Sequence, residues 1–244
     1  KTFALTKNID AGSSFTGDTG NDTFSGSAGT IDGDILDGGA GTDTLSISVT
    51  NADDNNSSFK SSNIENISVR TTNGAVVLDL GDVTGMSKLT SRRLAGNLQL
   101  DNVEYGTAIY IDDTSTGVLS DINFSAASVT GSSDTATVNL DTNTDVDLDV
   151  DSIETLTLNT VTGKSTVGAL TGSTLSTVAV TGDKKLTVSS VTGAGNLTID
   201  ASAATGGTAF TLGTGDHTFT GGSGADTIST GITLTAKDTI DGGA

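Results

Sequence analysis

Large apolar residues fall at every second position in short runs along most of this chain. Leu45, Ile47 and Val49 alternate with serine. The runs N-I-E-N-I-S-V-R from Asn63 and S-I-E-T-L-T-L-N from Ser152 repeat the pattern, as do S-T-V-A-V, K-L-T-V-S and N-L-T-I-D further on. A period of two is that of a strand with one face in a core and the other in water. Between the runs the turn V-T-G recurs at 83–85, 129–131, 161–163, 180–182 and 191–193, with L-T-G at 170–172. The later glycines, at 163, 172, 182 and 193, are 9, 10 and 11 residues apart. Strands so short cannot bury a face alone. Cornered by glycine at these intervals they read as rungs that stack, which predicts an all-β fold, a parallel β-solenoid or β-roll. Helical periodicity is nearly absent: residues 86–95 predict a short helical turn at most. The polar stretch 51–62 predicts a loop whose Asp53 and Asp54 face water.

A second pattern explains how some corners close. The segments G-D-T-G-N-D-T-F-S at 17–25, G-G-A-G-T-D-T-L-S at 38–46 and G-G-S-G-A-D-T-I-S at 221–229 follow the nine-residue rule G-G-x-G-x-D-x-U-x, with U large and apolar; the first lacks only its second glycine, replaced by Asp18. The glycines let the backbone close a tight turn and aim carbonyls inward. The sixth position (Asp22, Asp43, Asp226) adds a carboxylate oxygen, and U (Phe24, Leu45, Ile228) starts a strand into the core. Several hard oxygens in a flexible shell are what Ca2+ takes. One turn supplies half a shell, so a site forms between stacked turns.

Gly17 and Gly38 are 21 residues apart. A two-nonapeptide coil is about 18 residues, so these corners are expected to stack on one edge. A degenerate copy at 26–33, with Asp32 displaced, takes the other edge. The candidate ligands are Asp18, Gly20, Asp22, Asp34, Asp37, Gly38, Gly39, Gly41 and Asp43. An offset of 204 residues adds Gly221, Gly222, Gly224, Asp226, Asp238 and Asp241. The same offset maps D-I-L-D-G-G-A at 34–40 onto D-T-I-D-G-G-A at 238–244. The chain is therefore expected to be a segment of a longer one, continuing as G-x-D-x and an apolar residue.

Charge strengthens the cation reading. Thirty acidic residues against 11 basic ones leave a net charge of −19. Such a surface repels nucleic-acid phosphates and anionic headgroups and attracts divalent cations. The absence of cysteine excludes disulfides and thiol chemistry. No apolar run approaches the roughly 18 residues of a membrane span.

No catalytic set is found. His217 is the only histidine and reads as a polar turn residue before F-T-G; there is no H-E-x-x-H, phosphate loop or dinucleotide fingerprint. The chain is not read as an enzyme. Glu65 and Glu154 hold the same place in a strand repeat and read as structural groups bonding backbone at a coil corner. The run L-D-T-N-T-D-V-D-L-D-V-D at 140–151 puts Asp145, Asp147, Asp149 and Asp151 on one strand face and Val146, Leu148 and Val150 on the other. It starts like an EF-hand loop and fails as one, because Val146 stands where glycine is required and Ser152 where glutamate is. A solvated acidic face and a secondary Ca2+ site both stay open for it.

The nonapeptides resemble the RTX family of bacterial proteins exported by type I secretion. The wider arrangement (F-T-G-D-T-G-N-D-T-F, D-I-L-D-G-G-A-G-T-D-T-L, the N-I-E-N-I-S-V strand and the V-T-G rungs) is similar to RTX surface-layer proteins of Gram-negative bacteria, of the Caulobacter type, and to related large adhesins. Here the nonapeptides are few and scattered rather than in a long array. The resemblance implies Ca2+-dependent folding outside the cell and self-assembly into a lattice or filament on lipopolysaccharide or another surface glycan. Three stretches are expected: an RTX-like calcium β-roll module at 1–50, solenoid rungs at 51–215, and the start of a second RTX-like module at 216–244. The expected role is a structural, calcium-binding segment of a self-assembling surface layer or filament. The alternative is the stalk or binding module of a large RTX adhesin.

Overall fold

A computed structural model of the chain describes residues 1–112, 119–141, 146–193, 195–230 and 234–244, with the main chain alone at 119 and 120. Glycine and polar corners keep every strand between two and eight residues long. Each strand therefore finds its partners in the coils before and after its own, and every pairing among the described residues is parallel. The result is the expected β-solenoid.

A front sheet takes one strand from each coil: Thr2–Ala4, Thr23–Gly26, Thr44–Thr50, Asn66–Asn73, Lys88–Arg92, Ala108–Asp112, Thr135–Asp141, Thr155–Thr160, Thr177–Gly182, Thr198–Asp200, Thr218–Thr220 and Thr239–Asp241. A back sheet takes nine: Ser57–Ser58, Val76–Asp79, Leu98–Val103, Leu119–Phe124, Val146–Asp149, Ser165–Thr171, Leu186–Thr192, Thr208–Thr211 and Thr227–Ser229. In the early coils Ile35–Asp37 and Lys60–Ser62 pair as a short third side. The front sheet crosses residues 50 and 215 without a break, so the three expected stretches belong to one stack.

The register shows how the core is built. Phe24, Leu45, Ile67, Leu89, Ile109, Val138, Leu158 and Val180 pair in succession and are all buried. Each such side chain contributes about 1.5–3 kcal/mol of transfer free energy. Successive partners are mostly 20–22 residues apart, as in Thr23 with Thr44 and Thr44 with Asn66. Within this column the exception is Ile109 with Val138, where the long corner at 125–134 absorbs the excess.

Two local expectations are corrected. Lys88–Arg92 is a strand, not a helical turn, because its neighbours on both sides offer ladders. The stretch 51–62 is not a loop: it forms a one-turn helix, Asn51–Asp54, and the strands Ser57–Ser58 and Lys60–Ser62.

Candidate metal centre

The residue just before each front-sheet strand sits at a corner. Its N–H precedes the strand ladder and needs an acceptor of its own. At Asp22, Asp43, Glu65, Asp134, Glu154 and Asp238 this corner residue is an acid. The carboxylates supply the acceptors. Asp22 N–H donates to Asp43 Oδ1 at 2.6 Å and Asp43 N–H to Glu65 Oε2 at 2.7 Å. Asp134 N–H donates to Glu154 Oε2 at 2.8 Å and His217 N–H to Asp238 Oδ1 at 2.7 Å. The Lys1 main-chain nitrogen donates to Asp22 Oδ1 in the same way. Glu65 and Glu154 thus bond backbone at coil corners as expected. His217 is a buried member of this column, its Nδ1 accepting Leu197 N–H at 3.3 Å.

The Gly17 and Gly38 corners stack on one edge. Gly17 N–H donates to Asp37 O at 2.8 Å, Ala40 N–H to Asp18 O at 2.8 Å and Gly38 N–H to Ser62 O at 2.9 Å. Glycine is required by space: a Cβ on Gly38 would lie 1.9 Å from Asn63 O and 2.5 Å from Asp43 Oδ2. On Gly17 it would lie 1.8 Å from Gly38 O and 2.5 Å from Asp22 Oδ2. Each corner therefore brings one carboxylate oxygen and one main-chain carbonyl oxygen of the next coil to the same small space. The two aspartates differ in use. Asp22 Oδ2 accepts Asp18 N–H at 2.7 Å, whereas Asp43 Oδ2 is buried with no partner. Around them Asp18 accepts Gly20 N–H at 2.9 Å, and Asp37 accepts Asn63 Nδ2 at 2.9 Å and Gly39 N–H at 3.1 Å. Gly39 and Gly41 pack against the carbonyl oxygens of Asp18 and Gly20.

Other carboxylates of these coils act alike. Asp34 Oδ1 accepts Asp10 N–H at 2.8 Å, and Asp10 accepts Thr6 N–H at 2.6 Å. Asp54, expected to face water, is fully buried and accepts Gly29 and Thr50 N–H at 2.9 Å each. Asp10 and Asp54 lie outside the nonapeptide pattern; their signal is only a short polar residue next to a corner.

Burial dominates the electrostatics. It pushes Asp34 up to about 7 against the pull of the Asp10 N–H, and the Asp10 and Asp32 charges push the same way. Its Oδ2, like that of Asp43, has no partner. Burial, with the Glu65 and Asp22 charges, also raises Asp43, and burial raises Asp54. Asp22 is held low by its hydrogen bonds from the Lys1 nitrogen and Asp18 N–H, Asp37 by Asn63, and Asp238 by His217 and Thr235 N–H.

The 204-residue correspondence does not carry over to position in the solenoid. Thr23–Gly26, after the first nonapeptide corner, lies in the front sheet, and Thr227–Ser229, after the third, lies in the back sheet. The Gly221 corner is therefore on the opposite edge, half a coil out of phase. There Asp226 accepts Thr208 N–H at 2.7 Å, Thr208 Oγ1 at 2.8 Å and Gly222 N–H at 3.0 Å. Gly221 packs on Gly242 O, Gly222 on the Ala201 and Ala204 carbonyls, and Gly224 on Gly206. Asp241 accepts Gly243 N–H at 3.0 Å.

The donor chemistry can be matched to Ca2+. Asp43 fits best, with a buried anionic oxygen that lacks a donor beside the Asn63 carbonyl, and Asp34 offers a second such oxygen. Asp22 and Asp226 direct both oxygens to N–H groups. Among the described residues no three acids converge as a ready-made group, so a cation here would draw on main-chain carbonyls as much as on side chains.

Of the acidic run, Asp145 lies outside the described residues. Asp147 and Asp149 face outward and Val146, Leu148 and Val150 are buried. Asp147 accepts Ala169 N–H at 2.6 Å and Asp151 accepts Ser173 N–H at 2.9 Å. Among the described residues no helix is long and apolar enough to cross a membrane. Comparison with family models, curated proteins and solved structures returned no match.

Proposed function

We propose that this chain is a calcium-stabilised structural segment of a self-assembling bacterial surface-layer or surface-filament protein, secreted and displayed outside the cell. One observation carries the reading: Asp43 is wholly buried, and its second carboxylate oxygen has no hydrogen-bond partner in the corner that also holds the Asn63 carbonyl. A buried carboxylate left in this condition must be neutralised by a proton or compensated by a cation. The nonapeptide corner around it offers hard oxygens to the second. Ca2+ tolerates an irregular shell of this kind, whereas Mg2+ demands near-octahedral geometry.

The fold suits the structural part of the reading. Each coil's ladders run only to the adjacent coils, so the chain is a stiff stack that lengthens by about 4.8 Å per coil. The same stack favours the second reading, an adhesin stalk. Lipopolysaccharide or another surface glycan is the expected anchor of the first.

Thermal melting and circular dichroism in Ca2+, in Mg2+ and in chelator test the metal. Ca2+ should raise the melting temperature and complete the β-type spectrum, and Mg2+ should do so poorly. Identical curves in Ca2+ and chelator overturn the reading. Electron microscopy of native material separates a lattice or filament from isolated stalks.

A further inference from the structure

The two broad faces of the solenoid carry patches of opposite charge, about two coils apart along the stack. Four of the chain's 11 basic residues, Arg70, Lys88, Arg92 and Arg93, lie on or beside two adjacent front-sheet strands. Val69 pairs with Ser91, so Arg70 and Arg92 follow side by side on the outward face, both exposed. Arg92 reaches Ser46 Oγ at 3.1 Å, and Lys88 Nζ sits 4.1 Å from the centre of the Tyr110 ring. Asp112 is the register neighbour of Arg92. Yet among the described residues none of the four makes an ion pair. Like charges side by side on a sheet repel unless an anion is brought to them.

The back sheet shows the converse. Asp121 pairs in register with Asp149, with Asp101 and Asp147 beside them. Asp149 Oδ1 is buried without a partner. Burial first, then the neighbouring charges, raise both Asp121 and Asp149. Among the described residues no cation pairs with either.

We propose that the front face around Arg70 and Arg92 docks on the back face around Asp121 and Asp149 of a second copy of this chain. This rests on the self-assembly reading and names its contact. Because the matching patches lie on opposite faces, the contact is heterologous and repeats from copy to copy as an open row, not a closed dimer. The acidic patch lies about two coils further along the stack, so each copy is displaced from the last by roughly 10 Å. The reciprocal acidic pair is what favours a second copy over an anionic glycan, which would need the basic patch alone.

The test is sedimentation of the full chain in Ca2+. Association of the wild-type chain should weaken as salt rises from about 0.05 to 0.5 M. R70E/R92E alone and D121K/D149K alone should each associate at least about tenfold more weakly. An equimolar mixture of the two should recover, since every contact is again complementary. Wild-type-like circular dichroism shows that the variants are folded; R70Q/R92Q and D121N/D149N stand in for a variant that is not. Undiminished association of both variants, or no recovery on mixing, overturns this contact while leaving self-assembly standing. A wild-type chain that never associates overturns both. Wild-type binding to lipopolysaccharide vesicles that R70E/R92E loses, with self-association intact, assigns the patch to a glycan and also overturns it.

Discussion

Replacing Asp34 by asparagine separates what its charge does from what its shape does. Asp34 is fully buried, its Oδ1 accepts Asp10 N–H at 2.8 Å, its Oδ2 has no partner, and its carboxyl is pushed from the ordinary 3.8 up to about 7. A folded-state pKa above the unfolded one means that folding favours the protonated form. The stabilisation is full below about pH 4 and is lost as pH rises through about 7. Over that whole window the loss is at most about 4 kcal/mol, and between pH 5 and pH 8 it is about 3 kcal/mol. In a chain of this size that corresponds to roughly 6–12 °C in melting temperature. The asparagine side chain keeps an acceptor for the Asp10 N–H and cannot ionise. Its buried amide costs the same at both pH values, so comparing wild type and Asp34→Asn at both reads the charge alone. Melting followed by circular dichroism in chelator at pH 5 and pH 8 is the assay. The wild type should fall by that margin more than the variant, and Ca2+ should shrink the difference. Parallel pH profiles for the two chains in chelator would refute the claim that burial of an uncompensated charge governs this corner.

Asp43→Asn keeps an oxygen for Asp22 N–H and removes the charge; calcium titration should show weaker affinity and a lower melting temperature at limiting Ca2+, with recovery at saturation by mass action. An unchanged titration removes Asp43 from the site. Glu65→Ala strips the acceptor 2.7 Å from Asp43 N–H and should cost about 1–3 kcal/mol in urea unfolding, while Glu65→Gln should restore most of it. Gly96→Ala would place a Cβ 1.9 Å from Gly74 O and should cost roughly 3 kcal/mol or more, whereas Gly195→Ala, with nothing within 4 Å, should stay within about 0.5 kcal/mol of wild type.

The coarse fold was legible because two signals agree: apolar residues at period two and glycine corners about half a coil apart. What escaped was local context. Lys88–Arg92 buries Leu89 and Ser91, and a buried serine weakens the alternation that marks a strand. Ser57 and Ser61 hide the strands of 51–62 in the same way. Neighbouring ladders, absent from any local window, decide these segments. The edge taken by Gly221 escaped for another reason. Corner lengths vary from coil to coil, so half a coil can be gained or lost over a 204-residue offset without a mark in the motif. The same variation hides order as well as phase. Thr155, Thr177, Thr198, Thr218 and Thr239 are unevenly spaced in sequence and stand in one register column in the fold.

The corner column separates two jobs that the nonapeptide rule joins. As an acceptor, the carboxylate is replaceable: Ser87 and Ser176 hold the same corner, and their N–H groups reach the main-chain carbonyls of Glu65 and Glu154 at 3.0 Å each. Coils therefore stack without an acid at the corner. As a charge it is concentrated, since Asp10, Asp22, Asp34, Asp43 and Asp54 are the aspartates buried as whole residues among the described ones, all within coils ending at residue 54, while further along Asp149 buries a single oxygen. The coils from Thr155 onward rest on apolar columns such as Leu158 with Val180. In a stack whose ladders run only between adjacent coils, need for a counter-cation is then greatest in the early coils. Those coils abut the basic patch directly: Asn66–Asn73, which carries Arg70, pairs along Thr44–Thr50, and Arg92 reaches across it to Ser46. On the proposed reading, removing Ca2+ should loosen these coils and disturb the proposed docking face while the apolar coils keep their ladders. The expected outcome is that chelator abolishes sedimentation of associated copies at a concentration that leaves the circular dichroism of the solenoid largely unchanged; loss of both together would refute it.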